Sequence, residues 1–227
     1  MAQGRGIGLE FAKQYYQDGW KVIATTRNLN NSNALVSLKD KLHVREMDIT
    51  SQSHIEKIKN EYKQEKIDLL INNAAIHGPH DNRSSFGNID RKEWSSVIIT
   101  NTISPIKVTE AFFENVKKSD QKKIVFISSR SSSISERGEL PHHRPGGPYI
   151  YRSSKAALNA ITKSLSFDYT NLGLSIIVLH PGFVKTDMAE GDIEPSDSIF
   201  GMRKVIEEWR LEYNGTFRTF EGENILW

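Results

Sequence analysis

The sequence predicts one α/β domain, a doubly wound parallel sheet with helices on both faces. Three observations lead there. Short apolar runs rich in β-branched residues alternate with stretches of helical periodicity. A glycine turn, Gly4-Arg5-Gly6-Ile7-Gly8, opens directly into a helical stretch. The strand candidates end in polar or glycine residues, and ligands bind beyond those carboxyl ends in an open parallel sheet.

Composition narrows the function. The 227 residues fit a single domain, 1–227, because α/β domains often reach ~200–250 residues. An apolar content of 37% and a charged content of 26% suit a globular protein with a full core. A net charge of +2 without a long basic run argues against nucleic acid or a membrane surface as partner. With no cysteine, disulfides and thiolate metal sites are excluded. No apolar run approaches membrane-spanning length and the first residues do not read as a signal peptide, so a cytoplasmic protein is expected.

In chain order, Phe11, Ala12, Tyr15 and Tyr16 recur at helical spacing after the glycine turn, and Gly19 can end that helix. A glycine loop at a helix start leaves bare N–H groups facing outward, ready for a pyrophosphate. Lys21–Arg27 reads as a buried strand. Where a dinucleotide fold often carries an acid for the ribose 2′-OH, this chain has Thr26-Arg27. Arg27, with Arg5, is suited to clamp a 2′-phosphate, which favours NADP(H) over NAD(H). Leu42–Ile49 is the next strand, with Asp48 at its exit, either an acceptor for an adenine amine or a simple turn acid. Thr50 or Ser51 caps a helix that buries Ile55 and Ile58.

Ile67–Ile71 is a strand followed by Asn72-Asn73-Ala74-Ala75, small residues that let backbone lie flat against a ligand. Residues 78–88 form a loop. A helix then runs from Trp94 through Asn101 to Phe112, although asparagine is a poor residue mid-helix. Lys123–Ile127 is a strand ending at Ser128-Ser129, and residues 130–150 form a long Ser-, Pro- and Gly-rich loop. His142 and His143 in that loop read as exposed histidines rather than metal ligands, and no metal is expected. Leu174–Leu179 is a strand that leads into His180-Pro181-Gly182-Phe183-Val184-Lys185-Thr186. Residues 189–195 read as a mobile lid, a helix starts at Ser196-Asp197, and 216–227 reads as a strand-like tail.

The chain is organised around Tyr151-Arg152-Ser153-Ser154-Lys155. Their spacing puts Tyr151 and Lys155 one turn apart on one helix face. An ammonium beside a phenol favours the phenolate and lowers its pKa from about 10, which equips the tyrosine to move protons. Tyr62 and Lys66 share the spacing on what reads as a solvated face, so the pair alone decides nothing.

Taken together, these motifs resemble the short-chain dehydrogenase/reductase family over nearly the whole chain. Tyr-Arg-Ser-Ser-Lys-Ala-Ala-Leu-Asn, His-Pro-Gly-Phe-Val-Lys-Thr-Asp-Met and Phe220–Trp227 resemble its C-factor-like carbonyl-reductase branch. The resemblance implies a Rossmann-like fold and hydride transfer between nicotinamide and a small-molecule carbonyl or alcohol. It implies Tyr151 as general acid/base, Lys155 supporting the phenolate and the nicotinamide ribose, Ser129 holding the substrate oxygen, and Asn101 anchoring a relay water. Gly4, Arg5, Gly6, Ile7, Gly8 and Arg27 would serve the phosphates. Asp48, Ile49, Asn73, Ala74 and Ala75 would line the adenosine side. Pro181, Gly182, Val184 and Thr186 would embrace the nicotinamide side. A homodimer or homotetramer through the helices near Asn101 and Tyr151 is implied as well.

Three departures from the family pattern carry expectations. The glycine motif of the family begins with Thr-Gly after a central strand, and those places hold Met1-Ala2. The first strand, expected between the Val22 and Leu69 strands, is therefore missing, through a late start or a damaged gene. Ala75 stands where the family has glycine. Ser129 and Tyr151 are separated by 21 residues, against about a dozen in the family, so the extra loop is expected to shape the substrate entrance, with 189–211 as lid and helix. The rival reading is a non-catalytic member of the fold, acting as a binding or signalling module.

Overall fold

Neighbouring residues along Lys123–Ile127 serve different layers. Val125 and Ile127 pack with Phe11, Tyr15, Ile199 and Met202, whereas Ile124 and Phe126 pack with Val116, Leu158 and Leu174. Side chains alternate across a strand, so one covered on both faces must be apolar throughout. The computed structural model describes residues 6–31, 33–38, 40–138 and 147–227. Its elements are α1 (Gly6–Gln17), β1 (Ile23–Thr26), α2 (Asn33–Val36), β2 (His43–Glu46), α3 (Gln52–Glu61), β3 (Leu69–Asn72) and α4 (Arg91–Ile98). There follow α5 (Ser104–Lys117), β4 (Lys123–Ile127), α6 (Tyr149–Asp168), β5 (Ser175–His180), α7 (Pro195–Glu207), β6 (Phe217–Thr219) and β7 (Asn224–Ile225). Helices α1 and α7 cover one face of the main sheet, and α5 and α6 cover the other.

The sheet differs from expectation in one respect. Strands β3-β4-β5-β6-β7 form one sheet, parallel except for β7, while β1 and β2 form a separate parallel pair. Leu70 stands opposite Ile124, and Ile124 opposite Ile176. Between the free edges of β1 and β3 lies a cavity of about 380 Å³. It occupies the position at which the sequence places a further strand.

Several element boundaries are also corrected. The helix expected through Asn101 is broken by a π turn over Ile99–Ile103, which separates α4 from α5. Ser51 is the cap of α3, accepting from the His54 N–H. Pro195 starts α7 one residue ahead of Ser196, as proline suits a first helical position. The tail is a short hairpin, not one strand, and Gly222 turns it at φ 92°. The segment expected to be a mobile lid is tied to the preceding loop, with Lys185 N–H donating to the Ile193 carbonyl at 2.9 Å and Thr186 N–H to that of Ala189 at 3.0 Å.

Gly201 on α7 tests this packing. Alanine normally favours a helix over glycine by about 1 kcal/mol. Here an added Cβ would lie 2.6 Å from the Phe220 carbonyl oxygen, a backbone atom. Gly201→Ala should therefore lower stability by roughly 1–3 kcal/mol, read as a melting temperature that falls by several degrees; a rise would refute the contact.

Candidate active site

Two elements bring the predicted trio together. The turn after β4 carries Ser129, and the first two turns of α6 carry Tyr151 and Lys155. The Ser129 hydroxyl lies near enough to the Tyr151 phenol to act on its proton affinity. Lys155 is 2% exposed and donates from Nζ to the carbonyl of Ile127, the last residue of β4, at 2.8 Å. A buried net fixes the turn against α6: Ser128 donates to Asn159 Oδ1 at 2.6 Å, and Asn159 Nδ2 donates to Ser132 at 2.6 Å. Nothing in the sequence drew attention to Asn159 beyond its place in the Tyr-Lys stretch.

The electrostatics correct one expectation. Burial pushes the Tyr151 phenol up to about 12, only partly opposed by the Ser129 hydroxyl. Burial also lowers Lys155 to about 8. The ammonium is spent on the Ile127 carbonyl, so desolvation prevails over any pull toward phenolate. Tyr62 also departs from its reading: it is buried among Ile58 and Phe112, past the end of α3, not on a solvated face.

Sequence reasoning missed His77. Its ring stacks on Tyr151 at 4.8 Å between centroids and on His80 at 4.2 Å. Burial, then His80, holds the His77 imidazole below its ordinary value. The only signal was its place in the loop immediately after Asn73-Ala74-Ala75-Ile76.

Asn101 is fully buried in the π turn. Its Oδ1 accepts from the Ile76 N–H at 2.9 Å, and its Nδ2 donates to the Ile76 carbonyl at 2.8 Å and to Ser154 Oγ at 3.0 Å. The amide expected to anchor a relay water thus stitches the exit of β3 to α6.

The residues assigned to a nucleotide fall into three groups. Gly4 and Arg5, like His142 and His143, lie outside the described residues. Gly6 opens α1 at φ 69°, with no acid in the first turn, and a Cβ on it would touch Thr186 Cγ2 at 3.4 Å. The 181–186 loop therefore lies against this helix start. Gly182 is also left-handed, and the Pro181 carbonyl accepts from Ser198 at 2.6 Å. Val184 is buried and bridges to Ile193. Ile7, Ile49 and Ala74 instead turn their side chains into core clusters, so only their backbones remain for a ligand. Asn73 and Ala75 are half-buried, and Gly8 lines the cavity beside β1.

Asp48 makes the contacts of a turn acid through one carboxylate oxygen. Thr50 donates to its carboxylate from N at 2.9 Å and from Oγ1 at 2.7 Å. Burial raises the Asp48 carboxyl, but the Thr50 bonds, with Arg27 and His54, outweigh it and hold it below the usual range. Arg27 is exposed just past β1, close enough to act on Asp48. A left-handed glycine at an acid-free helix start, a cationic side chain at the edge of β1 and a buried amine beside a phenol fit a phosphorylated dinucleotide. Among the described residues, no cluster of three or more His, Asp or Glu is placed to hold a metal. No described helix is long and apolar enough to cross a membrane.

Two measurements test this geometry. Asn101→Leu leaves the Ile76 N–H and C=O unpaired and should cost roughly 2–4 kcal/mol, read as a lower urea midpoint at constant slope. For Lys155, the folded pKa of about 8 lies below the ordinary 10.5. In that window the unfolded chain holds more protons, so stability rises with pH. Lys155→Met should flatten the rise between about pH 8 and about pH 10; an unchanged slope would show that the amine is not desolvated.

Comparison with known proteins agrees with this arrangement. A family model described as short chain dehydrogenase matches residues 1–196. C-signal of Myxococcus xanthus is 32% identical over 163 residues, 71% of this chain and 93% of that protein. The NADPH-bound carbonyl reductase from chicken fatty liver superposes with a TM-score of 0.86 at 31% identity, covering 100% of this chain and 96% of the other. The carbonyl reductase Sniffer of D. melanogaster gives 0.85 at 27% identity, covering 99% and 96%. With the family model spanning most of its length, the chain belongs to the short-chain dehydrogenase/reductase family.

Proposed function

We propose that the protein is an NADP(H)-dependent oxidoreductase that reduces a small-molecule carbonyl to an alcohol, with Tyr151 as the proton donor. The observation that carries the reading is the Ser129 hydroxyl acting on the Tyr151 phenol, with the buried Lys155 amine one helical turn away. Solved relatives hold NADPH or NADP, and an exposed arginine just past β1, Arg27, is suited to a 2′-phosphate. When bound, a nicotinamide supplies the hydride. Ser129 holds the substrate oxygen by its hydroxyl. Tyr151, protonated at neutral pH because its pKa is about 12, delivers its proton to that oxygen. Lys155 orients the phenol and the nicotinamide ribose. Asn101 acts as a positioning residue through Ile76 and Ser154. Residues 189–211 border the substrate entrance; of the 130–150 loop, residues 139–146 lie outside the described residues. Self-association uses the surface near α4 and α6, where Ile99, Ile103, Ile161 and Phe167 are exposed.

A second reading, a binding or signalling module of the same fold, draws on the relative named C-signal. Kinetics separate the two. Tyr151→Phe should reduce turnover by at least about 10²-fold while NADPH fluorescence titration shows unchanged affinity. Arg27→Ala should raise the KM for NADPH about tenfold and leave that for NADH unchanged. Absence of NADPH binding by the unaltered chain would sink the enzyme reading and leave the module.

A further inference from the structure

We infer that His77 is a positioning residue for Tyr151: its ring, held against one face of the phenol, fixes the plane in which the O–H proton leaves. The inference rests on Tyr151 as the proton donor and adds a residue to that site.

A phenol oxygen lies on the axis about which its ring turns. Rotation about that axis leaves the oxygen in place and swings the O–H bond, which conjugation keeps in the ring plane. The torsion is broad and roughly twofold when nothing constrains it. The Ser129 hydroxyl acts on the polar end of the ring, and the Lys155 amine donates to the Ile127 carbonyl. Neither contact sets the ring plane. His77 does: it stacks on Tyr151 with 4.8 Å between centroids and 19° between planes. It stacks also on His80, at 4.2 Å and 8°, which makes His77 the middle ring of three.

His77 is itself fixed by the chain on either side of it. Asn101 pairs with both the N–H and the carbonyl of Ile76, one residue before. Gly78, one residue after, is left-handed at φ 83°. A Cβ there would lie 3.0 Å from Val97 of α4 and 3.4 Å from Ile150 of α6. Pro79 is buried. The loop is therefore pressed onto the two helices beside the site, and Ile150 is the immediate neighbour of Tyr151. A ring carried by so constrained a loop resists rotation of the phenol instead of following it.

His77 supplies a flat face, not charge or a hydrogen bond. Burial, then His80, holds the imidazole below its ordinary value, so it is neutral at neutral pH. Its Nδ1 is buried with no hydrogen-bond partner among the described residues, a cost that an apolar ring would not carry. Phenylalanine should then serve in its place, whereas leucine has similar bulk and no face to stack.

The full chain, without cofactor, is labelled at its tyrosine rings, and the Tyr151 resonances are identified by their loss in Tyr151→Phe. These ring protons should be shifted upfield by the His77 ring current. His77→Leu should abolish that shift and His77→Phe should keep it. With NADPH and benzaldehyde as the probe carbonyl, His77→Leu should lower kcat about tenfold or more, with the KM for NADPH unchanged, and His77→Phe should restore kcat to within about threefold. Four results overturn the inference: a shift that survives His77→Leu, an unaltered kcat in that variant, a KM for NADPH that moves with kcat, or no recovery with phenylalanine. The last would assign the role to Nδ1. Absence of turnover by the unaltered chain fails the oxidoreductase reading instead, and the tyrosine resonances then decide the hold on the phenol by themselves.

Discussion

The contact between Lys155 and the end of β4 governs the site. A buried amine must find an acceptor, and the Ile127 carbonyl at 2.8 Å is the one it has. That bond sets how far α6 slides along the sheet. The slide in turn sets where Tyr151, one helical turn earlier, meets Ser129, two residues beyond Ile127. The Ser128–Asn159–Ser132 net repeats the same junction further along the helix. A helix and a strand end held at two polar points cannot rotate past each other without leaving several groups unpaired. Catalytic geometry here is therefore a consequence of satisfying buried polar atoms, and the cost of desolvating Lys155 is the counterpart of that order.

The legible parts of this fold were those with a short-range cause. The Tyr151–Lys155 face follows from helix periodicity, and β4 and β5 follow from apolar runs that only a strand covered on both sides tolerates. What could not be read depends on neighbours distant in sequence. The phenol pKa moves up because burial outweighs the effect of Ser129, and spacing carries no information on burial. Asn101 looked like a misfit in a helix; its partner Ile76 lies 25 residues away, and the π turn that aims it there has no local signature. The resemblance puts Ile49 and Ala74 on the adenosine side, and their side chains pack into the core with Met47 and Phe112, which leaves their backbones for a ligand. His77 escaped notice because an aromatic stack on Tyr151 joins a loop to a helix across more than 70 residues of chain.

Two helical contacts hold the separate sheets in place. Ile23 and Met47, from the two-stranded sheet and its exit, share a cluster with Leu70, Val108 and Phe112 on the other side of the cavity between β1 and β3. Helix α1 divides its faces: Leu9 and Ala12 pack with Ala24 and Leu35, whereas Phe11 and Tyr15 pack with Val125 and Ile177. Such contacts are nondirectional, and they keep the sheets together without the ladder of hydrogen bonds that would fix their relative twist.

That distinction bears on function through the position of the ligand-facing groups. Arg27 and Asp48 ride on the two-stranded side, and Ser129, Tyr151 and Lys155 ride on the five-stranded side. The Gly6 start of α1, against Thr186, is the point where the two meet. A ligand long enough to reach both groups would have to span that junction. Reactive groups that all sit on one rigid body keep their mutual geometry whatever the spacing of the sheets. The division is then physical: the larger sheet carries Ser129, Tyr151 and Lys155, and the smaller one leads to Arg27 and Asp48.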